Sequence, residues 1–165
     1  MGYFEMARAK TFREKLADQK DFPRVEPISP GMARKWGPGT VVIPAPREVD
    51  EFMRRVPKGK LVTVNEIRRA AAERHGATIA CPMTTGILAR VAAGAAGEDE
   101  AEGIGPVTPN WRTLKAGGEV NPKYPGGVEG QSDRLIAEGH RVDMRGNRAF
   151  VMDYESNLVT LGTND

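Results

Sequence analysis

Six of the chain's 12 prolines fall between residues 23 and 46. Proline lacks the backbone donor and clashes within a helix interior, so no long helix crosses this stretch. Residues 21–46 are expected to form a mostly extended arm. Val25, Ile28, Met32, Trp36, Val41, Val42 and Ile43 punctuate it. A free linker has little use for such residues, so the arm is expected to pack on a domain. Helix is thereby confined to either side. Before the arm, residues 3–20 read as an amphipathic helix, with Phe12 and Leu16 four apart among charges.

Beyond the arm, helical signals come in quick succession. Val49, Phe52, Met53 and Val56 fall on one helical face and predict a short helix over 47–56. "PKGK" at 57–60 is a turn. Thr63 with Glu66 three residues later makes a capping box, and the helix it opens buries Ile67, Ala70 and Ala71 as far as about Arg74. Pro82 suits the first turn of the next helix, expected over 82–96 with Met83, Ile87, Leu88 and Val91 on one stripe. That helix is rich in small residues, which let another backbone approach closely. Helix, turn, helix, loop, helix is a helix-turn-helix pattern. "GEDEAEG" at 97–103 is expected as an acidic loop. Gly117-Gly118 predicts a tight turn between "RTLKA" and "EVNPKY", a wing beside the helices. A helix follows over 128–138, ended by Gly139, and "RVDMRGNRAFVMDYESNLVTLG" alternates like a strand pair. The expected fold is mainly α with small β elements: a winged helix-turn-helix domain over 47–140, an N-terminal helix and extended arm over 1–46, and a C-terminal β hairpin or small sheet over 141–165.

Composition narrows the function classes. The single cysteine excludes an internal disulfide and a cysteine-rich zinc site, and two distant histidines argue against a histidine metal site. No metal or cofactor is expected. No apolar run approaches a membrane span, and "MGYFEMARAK" lacks a signal-peptide core, so no membrane partner and a cytoplasmic location are expected. Net charge is only +2. From Arg47 to Arg74, however, eight basic residues face five acidic ones, a local excess that permits nucleic-acid contact without demanding it.

The stretch "TPNWRTLKAGGEVNPKYPGG" (108–127) carries the one tryptophan of the C-terminal half, between Asn110 and Arg112. Taken with its surroundings it resembles the DNA-binding domain of alkylguanine-DNA alkyltransferases, over about 47–139. "REVDEFMRRVPKGKLVTVNEIRRA" is similar to that family's helix, its Pro-x-Gly-Lys turn and its helix-turn-helix entry. "PMTTGILAR" falls where the family has its DNA-recognition helix. "TPNWRTLKAGGEV" falls where it has Pro-Cys-His-Arg and a wing, and "KYPGGVEGQSDRLIAEG" where it has Tyr-x-Gly-Gly-Leu leading to a helix ending in Glu-Gly.

The departures bear on chemistry. Asn110 stands where the resemblance places the alkyl-acceptor cysteine, and Trp111 where it places the activating histidine. Asn offers no nucleophile for an alkyl group at neutral pH, and an indole is a donor only, so transfer cannot run there. Arg112 and Glu138 keep the family's residues, and Glu138 is a candidate acceptor for the Trp111 indole. Val64 replaces a tyrosine that presses on DNA phosphate. Met83 replaces an arginine finger and could act as an apolar wedge. The pattern resembles the alkyltransferase-like proteins, which bind alkylated DNA without repairing it and hand it to other repair proteins.

The resemblance thus implies duplex DNA, plain or alkylated, as the partner, with repair proteins as further partners and no alkyl transfer. Met83, Thr84, Thr85 and Arg90 are the implied helix contacts, and Lys58, Lys60, Arg68, Arg69 and Lys115 the phosphate contacts. Asn110, Trp111, Arg112, Tyr124 and Glu138 are the implied lesion pocket. Trp111 either lines a pocket for an extruded base, with Tyr124 as a second wall, or plugs that pocket as core, and Asn110 either reads a base edge or caps the turn after Pro109. Two alternatives stand beside this one. An enzyme could use a relocated nucleophile, Cys81, or the Trp111 pocket. A protein-interaction module could have its DNA face covered by the 21–46 arm.

Overall fold

The computed structural model describes residues 9–19 and 21–162, and it is mainly helical with small sheets. The expected helix over 3–20 lies partly outside the described residues. Within them it is α1, Phe12–Ala17, which starts only after Thr11 because Thr11 and Glu14 form a capping box. The arm is extended in part, as β1 (Arg24–Pro27) and β2 (Thr40–Ile43), which pair antiparallel. Between them Pro30–Trp36 forms helix α2, where extended chain was expected. Ser29 caps it and Pro30 occupies its first turn, so the proline starts this helix instead of blocking it. β2 also pairs parallel with β4, Ile79–Ala80. The arm therefore contributes two strands to a sheet shared with the helical region.

The helical centre follows the sequence closely. α3 (Pro46–Arg54) leads through the 57–60 turn to β3 (Val62–Thr63) and α4 (Val64–His75). The Thr63–Glu66 capping box is present: the Thr63 N–H donates to Glu66 Oε1 at 2.6 Å and Thr63 Oγ1 accepts from the Asn65 N–H at 3.2 Å. α5 runs Pro82–Ala101, a full turn past its expected end. The run expected as an acidic loop is mostly helix because its carboxylates have partners. Glu98 accepts from the Phe12 and Arg13 N–H groups at 3.0 and 2.9 Å, Asp99 accepts from the Arg13 guanidinium at 3.4 Å, and Glu102 pairs with Arg13 as well.

The expected wing takes another form. Thr113–Leu114 (β5) pairs parallel with β3, and Gly117-Gly118 closes a 3₁₀ turn joined by Lys115 N–H to Glu119 C=O at 2.8 Å. Glu119 then bridges antiparallel to Phe150. The residues after the turn thus join the C-terminal hairpin, and among the described residues no hairpin joins 113–116 to 119–124. After α6 (Gly127–Ala137), that hairpin is β6 (Val142–Arg145) and β7 (Arg148–Val151).

Two apolar clusters hold these elements. The larger joins Val42 of the arm, Val49, Phe52, Met53 and Val56, α4's Ile67, the alanines of α5, Tyr124 and Leu161. The smaller joins Leu61, Leu114, Val120, Leu135, Ala149 and Val151, with Trp111 half-buried against it.

Candidate nucleic-acid interface

α5 buries its small face. Ala89, Ala92, Ala93 and Ala96 are almost wholly enclosed against α3 and α1, because short side chains permit close helix approach. Met83 and Ile87, placed on one stripe with Leu88 and Val91, are consequently turned outward, 75% and 56% exposed. They line a groove of about 320 Å³ together with Gly86, Arg90, Lys115, Asn121, Pro122 and Lys123. The groove combines an apolar ridge with three cations. Arg90 and Lys123 make no ion pair with any described residue, and Lys115 holds only a 3.6 Å approach to Glu119.

Three of the expected contacts, Met83, Arg90 and Lys115, meet here. Thr84 is half-buried and donates to Cys81 Sγ at 3.2 Å. Thr85 requires correction: it is fully buried, donating to the Cys81 carbonyl at 2.7 Å, and cannot reach a ligand. Sequence reasoning missed Ile87 and Lys123. Ile87, one turn after Met83, could have been found by asking which face of α5 the small residues would claim.

The other expected cations lie elsewhere. Arg68 is braced by bonds to the Ala80 carbonyl and Asn65, both at 3.2 Å, and with exposed Arg69 it lines a separate groove between α4 and β4. Lys58 and Lys60 are exposed on either side of Gly59, whose N–H lies 3.5 Å from Glu138 Oε1.

Within the 108–127 stretch, Trp111 and Arg112 form a hydrogen-bonded cluster with Glu138. Asn110, 5% exposed, donates to the Thr108 carbonyl at 3.3 Å and so secures the turn around Pro109. Trp111 and Arg112 continue the same 3₁₀ turn. The Trp111 indole N–H donates to Glu138 Oε2 at 3.1 Å, the hydrogen bond foreseen from sequence. Arg112 donates Nε and Nη2 to the same carboxylate at 2.9 and 2.7 Å, and Nη1 to the Val56 carbonyl at 2.8 Å. The Arg134 guanidinium lies 4.3 Å from the Trp111 ring centre, the range of a cation–π contact. Burial raises the Glu138 carboxyl, but the Arg112 and Trp111 hydrogen bonds, the Arg112 charge and the Gly59 N–H outweigh it and leave it below the usual carboxylate range.

Tyr124, expected as a second wall, belongs to the other apolar cluster and is 3% exposed. Burial pushes its phenol well up, against a hydrogen bond with Asn121. Four of the five residues assigned to a pocket are therefore close together, with Trp111 and Arg112 donating to Glu138 and Asn110 held to its own turn, while Tyr124 serves as core. Trp111 is half-buried against the smaller apolar cluster.

Among the described residues there is no group of His, Cys, Asp and Glu suited to hold a metal ion, and no helix is long and apolar enough to cross a membrane. No protein-family model matches the chain, and no curated protein matches it. Among solved structures it is similar to S. pombe Atl1 in complex with damaged DNA containing O6-carboxymethylguanine. The two are 18% identical, the match spans 69% of this chain and 93% of that one, and the TM-score is 0.47.

Proposed function

We propose that this chain is a DNA-binding protein of the alkyltransferase-like type, which binds damaged or alkylated duplex DNA without transferring the alkyl group and leaves repair to other proteins. The observation that carries the reading is the groove along α5: an exposed Met83–Ile87 ridge flanked by Arg90, Lys115 and Lys123. The cations suit backbone phosphates, and the ridge suits insertion at a base step. A damaged or mispaired step costs less to unstack, so preference for damage arises from deformability at the ridge and not from a pocket behind Trp111. The reading of no transfer is supported by Asn110, which stands where the resemblance places the acceptor and is a buried asparagine committed to its own turn. Cys81 makes a poor substitute: the one described side-chain partner of its sulfur is the Thr84 hydroxyl, which is no general base.

Fluorescence anisotropy with plain, mismatched and O6-alkylguanine duplexes tests this. Wild-type protein is expected to bind all three in a salt-dependent way, the deformable ones more tightly. Met83→Ala should reduce that preference, whereas Arg90→Gln should weaken binding to all three alike and lower the salt slope by about 0.9. No binding at low ionic strength would overturn the proposal.

A further inference from the structure

The C-terminal hairpin sets two guanidiniums opposite one another. Arg145 and Arg148 are direct cross-strand partners beside the Gly146-Asn147 turn, and their side chains are 60% and 61% exposed. Like charges in that position destabilise a hairpin. Alternation along the strands puts Arg141, Arg145, Arg148 and Phe150 on one face with Asp143. Both guanidiniums lie near the Phe150 ring, at 4.6 and 5.1 Å from its centre. The two acids on this face orient the arginines without exhausting them. Asp143 accepts only Arg145 Nε, at 2.9 Å, leaving both terminal nitrogens without a described partner. Glu119 accepts Arg148 Nε and Nη2, leaving Nη1. Arg141 makes no side-chain bond or ion pair with a described residue.

Arg148 of this face is linked to the α5 groove through Glu119. Glu119, which bridges to Phe150 and holds Arg148, is approached at 3.6 Å by Lys115, a wall of that groove. Backbone bonding reinforces the connection, with Val120 N–H donating to the Ala149 carbonyl at 2.9 Å. We infer that the hairpin is a second phosphate-binding element for the same duplex, with Arg141 and Arg145 contacting backbone beyond the segment gripped at α5. This rests on the DNA-binding reading. It also accounts for the cross-strand arginine pair, whose repulsion an intervening phosphate would relieve.

The test is the slope of log binding constant against log salt for the full chain on a long duplex. Arg141→Gln/Arg145→Gln should lower its magnitude by about 1.8, or about 0.9 for each phosphate no longer neutralised. Its melting temperature should change little, because Arg145 loses an exposed ion pair with Asp143 together with the repulsion of Arg148, and Arg141 has no described partner to lose. Arg141→Lys/Arg145→Lys should keep the wild-type slope. If the glutamine variant keeps the full slope while Arg90→Gln/Lys123→Gln loses part of it, the hairpin inference fails and the DNA-binding reading stands. Wild-type protein that binds anionic vesicles but no duplex would overturn both.

Discussion

Glu138 accepts from three side-chain N–H groups of Trp111 and Arg112 and lies near the Gly59 N–H, so it holds the Trp111 ring in place. Its side chain is 9% exposed and that of Arg112 15%. Glu138→Gln should therefore destabilise the fold by about 3 kcal/mol, the low end for breaking a buried pair. Trp111→Phe retains the ring and loses one hydrogen bond, so about 1 kcal/mol is expected; urea titrations of both variants check these values. The acid limb follows from two depressed groups. Glu138's folded value lies below its unfolded one, so its contribution is present above about pH 4.3 and is lost as pH falls further. Burial lowers His140, against the Glu138 charge. The unfolded chain therefore takes up that proton first, and stability begins to fall below about pH 6.5. Melting temperature should drop from pH 7 to about pH 3, with the Glu138→Gln variant losing less below about pH 4.3. The Trp111–Glu138 bond was legible in the sequence because the resemblance fixed both positions. The Arg134 cap over Trp111 was not, since nothing local to either residue signals the contact.

At the scale of elements, the capped helices were legible because their signals are local: Thr63 with Glu66, Pro82, and the periodic Val49–Phe52–Met53–Val56 face. The elements misread depend on partners distant in sequence. β5 pairs with β3, Glu119 pairs with Phe150, and the acidic end of α5 is neutralised by Arg13 and the start of α1. The Ser29-Pro30 helix start is different: its signal is local, but the density of prolines around it masks it. The docking of α1 yields its own prediction. Phe12 lies directly over Gly94, where a Cβ would overlap the ring. Gly94→Ala should displace α1 at a cost of about 1–3 kcal/mol, visible as faster amide exchange over residues 12–17. Glu98→Gln should act in the same direction more weakly, because a neutral amide is a poorer acceptor for the Phe12 and Arg13 N–H groups at a helix start.

Over the whole molecule, the arm and the C-terminal extension share cores with the helices between them. Val42 and Leu161 both lie in the larger cluster, and Ala149 and Val151 of the hairpin help build the smaller one. That arrangement leaves the α5 ridge and its cations uncovered by described residues, and it sets the basic hairpin beside them. The sequence pointed to α5 as an expected contact element but not to which of its faces would be free, because the small residues had to claim the buried face first. The central claim is duplex binding through this surface. Its most direct test is the salt dependence of wild-type affinity for a plain and an O6-alkylguanine duplex. The groove cations Arg90, Lys115 and Lys123 alone predict a slope of about −2.7 or steeper on both duplexes. A slope near zero, or no binding at low salt, would contradict it.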